Sequence, residues 1–319
     1  MIFDNKRLQK KSGRNRLARI LIILAILLLT VTINSNHKTS NMQMSSIKNL
    51  TNLFPKKTAP RTSGQEHKKN RAKSFIYLPS THRSEQIPAR KLEVPKAIPI
   101  LMYHRINNTA TFGNCVERNL TISVQTFTNQ LNWFLSNGYH VVSLNEAFDA
   151  LYLHKPLPIK PIVLTFDDGT ADAYYNVYPI LKKRGLTGTF FVKVKCVDSG
   201  DGLNWGKAVE MTNGGMQIES HTMTHIDLSL ASSDELLYEL QKSKNLLEKH
   251  LRQTVRFLAY PSGSFNDQVI AAAKRCGYSA ALTTEPGLCR PGDNPFKLKR
   301  IRISRGQDLG SLSSLLNCN

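Results

Sequence analysis

"LTFDDGTADAYYNVYPILKKRGLTGTFFV", residues 164–192, places an apolar run directly before two adjacent acids and a glycine. The run starts at Ile162 and reads Ile162-Val163-Leu164-Thr165-Phe166, a composition that favours a buried strand. Asp168-Gly169 is a turn signal, and the plainest reading turns the chain there and leaves Asp167 in solvent. Two like charges side by side repel, however, and a strand end needs only a turn. Beyond it, 172–184 has helical spacing of its apolar residues, Gly185 stands where that helix should stop, and 188–193 returns to strand composition. Strand, helix, strand is the unit of a parallel sheet.

The same alternation extends in both directions, from about residue 95 to the C-terminus. Strands are expected at 98–103, 140–142, 161–166, 188–193, 216–220, 256–260, 280–283 and 300–303. Helices are expected at 126–137, 144–152, 172–184, 233–249, 266–276 and 309–316. Ser232 to Glu235 forms a capping box before the longest of these, and Gly277 marks another helix end. An α/β body follows, with parallel strands and helices outside, as either a barrel or a doubly wound sheet.

In such folds chemistry collects at the C-terminal ends of the strands. Strand 98–103 ends at His104, strand 161–166 at Asp167-Asp168, and strand 216–220 at His221 within "IESHTMTHIDLS", residues 218–229. Strand 256–260 ends at "YPSG". Any one of these histidines alone reads as an ordinary hydrogen-bonding residue. Delivered to one rim with two acids, they read as a site. His221 and His225, at i and i+4, are expected on one face of a helical turn, a ligand spacing for a divalent metal. A carboxylate from another strand would complete a His, His, Asp set with positions left open. Two adjacent acids then make sense as a division of labour, one beside the metal and the other free to take a proton.

These residues resemble the NodB-homology polysaccharide deacetylases, carbohydrate esterase family 4. "TFDDG" (165–169) and "HTMTH" (221–225) match its first two motifs, in order and each at a strand end. The resemblance covers about residues 95–305 and implies a distorted (β/α) barrel and removal of N-acetyl groups. It implies Asp168, His221 and His225 as ligands of a divalent metal, most often zinc, and Asp167 as general base. The third motif, R-P-P-Y-G, aligns with Ala259-Tyr260-Pro261-Ser262-Gly263. The arginine that steadies the base is therefore Ala259 here, and the oxyanion role falls to the backbone N–H of Ser262. Arg256 lies on the other face of that strand. The family's C-terminal acid histidine is also missing, since no histidine follows His250. The subgroup acting on poly-β-1,6-N-acetylglucosamine shares both departures and carries an N-terminal "LMYH". "LMYHRI" (101–106) and "FLAYPSG" (257–263) resemble it, which gives the acid role to His104. A peptidoglycan or chitin-type deacetylase, or a non-catalytic carbohydrate-binding module, is the alternative.

The chain has 319 residues, 41% of them hydrophobic, and a net charge of +20. Residues 1–94 carry 19 Lys/Arg against 4 Asp/Glu, whereas 95–319 carries 24 against 19. The basic balance thus belongs to an N-terminal arm, and no nucleic-acid partner is expected of the folded part. Seven cations from Lys6 to Arg19 precede "ILIILAILLLTVTI", residues 20–33. Residues 1–34 read as a membrane anchor or signal segment, with the positive flank in the cytoplasm and the remainder outside. No A-x-A site follows, which favours an uncleaved anchor. Residues 35–94 read as a polar, basic tether, and 95–319 as the catalytic domain. The five cysteines contain no CxxC, so no structural zinc site of that kind is expected, and their pairing is not readable.

Overall fold

In the computed structural model, residues 91–108 and 115–317 are described. Eight strands form the main sheet: β1 Ile100–Tyr103, β2 His140–Val141, β3 Pro161–Phe166, β4 Thr189–Val192, β5 Gln217–Ser220, β6 Phe257–Ala259, β7 Ala280–Leu282 and β8 Ile301–Arg302. The helices are α1 Cys115–Asn119, α2 Val124–Ser136, α3 Leu144–Leu153, α4 Tyr178–Lys183, α5 Trp205–Asn213, α6 Ser233–Leu237, α7 Ser243–Leu251, α8 Asp267–Arg275 and α9 Leu309–Asn317. A π-helical segment, Ala173–Val177, leads into α4, and a second, Tyr238–Lys242, joins α6 to α7.

The strand order is β7-β6-β5-β4-β3-β1-β8, with β2 beside the start of β3, and every pairing is parallel. Segment 298–302 bonds to both edges. Leu298 exchanges backbone bonds with β7 and Thr283, and Ile301 and Arg302 pair with Leu101 and Met102 of β1. The sheet therefore curls into the expected distorted barrel.

Alternation along the strands divides the core. One face sends Ile100, Val163, Phe191, Phe257 and Leu282 into a cluster with Leu144, Ala147, Ala150 and Leu151, so α3 covers one end of the barrel. The other face sends Leu101, Tyr103, Leu164, Phe166, Phe190 and Leu258 toward the outer helices, against residues such as Phe134, Leu181, Met211 and Leu247. Tyr103, Phe166 and Phe190 stack across β1, β3 and β4 with ring centroids 5.3 and 4.7 Å apart. The expected capping box is present, with Ser232 and Glu235 bonded reciprocally, and a second one uses Ser143 and Glu146. Gly185 and Gly277 adopt the left-handed conformation at helix ends.

The structure corrects the sequence reading in three places. Helix α5, between β4 and β5, was not expected, although a parallel pair needs a crossover there. Leu92–Glu93 pairs antiparallel with Leu157–Pro158, so the body begins a few residues before 95. The histidines 221 and 225 lie in a loop and not on a helical turn. The expected anchor and nearly all of the tether fall outside the described residues. Among the described residues no helix is long and apolar enough to cross a membrane. Cys115, Cys196, Cys276 and Cys289 are free thiols.

Candidate active site

Strand β3 points Val163 into the barrel, and period-two alternation sends Thr165 and Asp167 the same way. Asp168 follows in the left-handed region, with φ 78°, and Gly169 continues it with φ 63°. A Cβ on Gly169 would lie 2.9 Å from Val192 Cγ1, so glycine is required there for conformation and for space. The turn aims the two acids differently. Asp167 is buried against the barrel interior, while Asp168 faces an open cavity and is half-buried.

That cavity, of about 500 Å³, is lined by all six residues singled out from sequence: His104, Asp167, Asp168, His221, His225 and Ser262. Lys193, Tyr260, Thr284 and Arg302 contribute further walls. Each comes from the C-terminal end of a strand or the turn after it, which explains why residues far apart in sequence meet. Four of the non-glycine residues with positive φ cluster here: Asp168, Thr222, His225 and Ser262. Such conformations persist where surrounding structure over-determines them, and they concentrate at functional sites.

Asp168 Oδ1 lies 3.8 Å from His221 Nε2 and 3.7 Å from His225 Nε2. His221 Nδ1 donates to the Ala259 carbonyl at 2.8 Å, which fixes the tautomer and leaves the Nε2 lone pair facing Asp168. Burial lowers the pKa of both imidazoles, His225 to about 4 with the neighbouring His221 adding to the effect, so both favour the neutral form that a metal would require. Burial pushes Asp168 upward, but His221 and Lys193 beside it bring it below its ordinary value. Lys193 Nζ is 3.2 Å from Asp168 Oδ1. Two neutral imidazoles and one carboxylate, with donor atoms within 4.8 Å of one another, fit a divalent cation such as zinc.

Asp167 is held in a buried ion pair, a partner that the sequence reading did not identify. Arg300 grips it with both guanidinium arms, NH1 to Oδ1 at 2.8 Å and NH2 to Oδ2 at 2.7 Å. Arg300 also donates from Nε to the Thr283 carbonyl at 2.9 Å and from NH1 to Thr165 Oγ1 at 3.2 Å. The pair is buried, with side chains 0% and 3% exposed. Burial alone would raise the Asp167 pKa, but the Arg300 charge, followed by His221 and the Arg300 hydrogen bonds, holds it well below the usual carboxylate range. In the sequence, Ala259 stands where the resembled motif has an arginine. Arg300, in the segment just before β8, holds Asp167 from a different part of the chain, and Arg256 binds Asn145 instead. The only hint in the sequence was an arginine between the apolar Leu298 and Ile301.

His104 approaches from β1. Its Nδ1 is buried and has no hydrogen-bond partner among the described residues, so the plain reading as an ordinary hydrogen-bonding residue does not hold for that atom. Burial lowers its pKa, while Asp167 and Asp168 oppose that shift. Ser262, with φ 55°, sits in a short turn after β6, where Thr284 Oγ1 reaches its carbonyl at 3.4 Å.

Fold and site together define a polysaccharide deacetylase, and comparison with known proteins gives the same family. Residues 154–281 match the Polysaccharide deacetylase family. The Bacillus subtilis protein YxkH, which carries a polysaccharide-deacetylase name, is 34% identical over 216 residues, covering 68% of this chain and 75% of YxkH. A poly-β-1,6-N-acetyl-D-glucosamine N-deacetylase of Staphylococcus aureus is 27% identical over 242 residues, covering 68% of this chain and 82% of that protein. Among solved structures, the Streptococcus pyogenes deacetylase PplD in complex with acetate has 34% identity and a TM-score of 0.64, covering 70% of this chain and 99% of its own. IcaB from Ammonifex degensii has 25% identity and a TM-score of 0.62, with 70% and 97% coverage. The chain belongs to the polysaccharide deacetylase family, and its activity is of the deacetylase class.

Proposed function

We propose that the protein is a divalent-metal-dependent hydrolase that removes N-acetyl groups from an N-acetylglucosamine polymer outside the cytoplasm, with the poly-β-1,6-linked polymer as the preferred substrate. The observation that carries this reading is the cavity itself, where Asp168, His221 and His225 converge beside an arginine-held carboxylate, with His104 on the same wall.

A zinc or similar ion held by Asp168, His221 and His225 would polarise the acetyl carbonyl and acidify a bound water. Asp167, ionised throughout the working pH range because of Arg300, takes the proton of the attacking water. Arg300 keeps both carboxylate oxygens in place, so the base is oriented before substrate arrives. The Ser262 backbone N–H faces the oxyanion as the carbonyl carbon becomes tetrahedral. His104 gives a proton to the nitrogen as the C–N bond breaks, and acetate and a free amine leave. Burial lowers its pKa, so its protonated form is a stronger acid than an ordinary imidazolium.

The name of the staphylococcal relative and the resemblance of "LMYHRI" and "FLAYPSG" support the β-1,6 polymer. The acetate in the streptococcal relative's structure is the product that this reaction would release. Residues 1–34 would hold the domain at the outer membrane surface, or direct its secretion if cleaved. Acetate release from matched β-1,6 and β-1,4 N-acetylglucosamine oligomers, with zinc supplied, tests the substrate. Release from the β-1,6 series is expected. Release confined to β-1,4 oligomers would move the reading to a chitin or peptidoglycan substrate, and none from either would leave a binding module.

A further inference from the structure

The chain between the two histidine ligands, 221–225, belongs to no helix or strand and bends twice into the left-handed region, at Thr222 (φ 65°) and His225 (φ 67°). Residues with a side chain adopt such bends at an energetic cost. Something must hold them. On one side, Val194 N–H donates to the Thr222 carbonyl at 3.1 Å and Lys195 N–H to the Met223 carbonyl at 2.9 Å. Within the loop, His225 N–H donates to Thr222 Oγ1 at 3.1 Å. The two remaining amides turn to a single side chain. Met223 N–H and Thr224 N–H both donate to Glu239 Oε2, at 3.0 and 2.9 Å, and the Thr224 hydroxyl donates to Oε1.

Glu239 is 2% exposed. Among the described residues it forms no ion pair, so its charge is held by the loop's own donors. It sits in the π-helical segment Tyr238–Lys242, where an extra residue per turn shifts side-chain direction, a feature frequent at functional sites. The end of that segment is tied to the same strand end. Ser243 Oγ reaches the Glu239 carbonyl at 2.6 Å and Ser220 Oγ at 3.0 Å, and Ser220 Oγ accepts Thr222 N–H at 3.2 Å. Strand β5, the histidine loop and the helix bulge are thus joined through one buried carboxylate and one pair of serines.

We propose that Glu239 is a positioning residue of the metal centre: its carboxylate sets the curvature of loop 221–225 and thereby the placement of His225 against His221 and Asp168. The inference rests on the reading of those three residues as metal ligands. Glu239 touches neither ion nor substrate, and what it controls is geometry. Partners of this kind, once removed, typically cost 10–100-fold in metal affinity.

Two conservative variants separate position from charge. Glu239→Asp keeps the charge and withdraws the carboxylate by one methylene. Glu239→Gln keeps the length, offers one oxygen to both amides and donates to the Thr224 hydroxyl. Zinc affinity is measured by competition with a chromophoric chelator on the full chain, with thermal unfolding recorded on the same samples. Glu239→Asp should weaken zinc binding by about 10–100-fold while still unfolding cooperatively, and Glu239→Gln should stay within a few-fold of wild type. Wild-type affinity in folded Glu239→Asp, or a loss in Glu239→Gln larger than in Glu239→Asp, would overturn the proposal. If the wild-type protein binds no zinc at all, the metal reading fails, and this inference with it.

Discussion

Arg300 reaches Asp167 across 133 residues of sequence, and the contact decides what that carboxylate can do. Held in two hydrogen bonds, Asp167 stays ionised and oriented, at the cost of low intrinsic basicity. The sign of the stability effect follows. A carboxylate pKa depressed by folding contributes stability that is present above the unfolded value, about 3.9, and is lost only as pH falls through the folded value below it. Arg300→Met should therefore destabilise the protein by about 3–5 kcal/mol at neutral pH, because it leaves a buried acid unpaired. It should also raise the Asp167 pKa and move the acid limb of the pH–rate profile upward. Thermal unfolding and the rate profile check both, and a variant with an unmoved acid limb would remove Arg300 from the base's surroundings. His104 makes a separable prediction. His104→Ala should slow amide cleavage by about 10²–10⁴ and spare an activated aryl ester, whose leaving group needs less protonation. Equal losses on the two substrates would count against the acid role.

At the scale of elements, the strands were legible and the connections less so. Ile162–Phe166, with "LMYH" and "IESH", announced three strand ends because apolar runs stop there at chemistry-bearing residues. Helix α5 was hidden by its composition, since Gly206, Thr212 and Asn213 are poor helix formers. The i, i+4 spacing of His221 and His225 carried the right association with the wrong geometry, because a doubly bent loop can bring the same two residues together as a helical turn. Glu219 makes a prediction at this scale. It is buried in β5 and accepts the N–H groups of Arg256 and Phe257, both at 2.8 Å, pinning the start of β6. Burial raises its pKa from 4.5 to about 8 despite those bonds. Folding therefore favours the protonated form, and its contribution is fully present below pH 4.5 and declines as pH rises toward about 8. Glu219→Gln should flatten that decline. Melting temperatures at pH 5 and pH 8 should differ more for wild type than for the variant, and equal differences would refute the assignment.

Across the whole molecule, the barrel gathers onto one rim residues spread from His104 to Arg302, and the curl of the sheet through 298–302 makes this possible. Alternation in the sequence made that rim readable, because Asp167, His104 and His221 are counted off from strand ends. Arg300 was not readable in the same way. Its place between Leu298 and Ile301 hints at burial but names no partner, which is set only once β8 closes beside β1. Under the proposed function, Asp168, His221 and His225 hold a single divalent ion on which N-deacetylation depends. Metal content and acetate release, measured on the same samples of wild type, chelator-stripped, zinc-restored and His221→Ala protein, test it most directly. The prediction is one ion per chain in wild type, loss of ion and acetate release together on stripping, recovery of both with zinc, and neither in His221→Ala. Full acetate release from the stripped protein, or full zinc occupancy in His221→Ala, would contradict it.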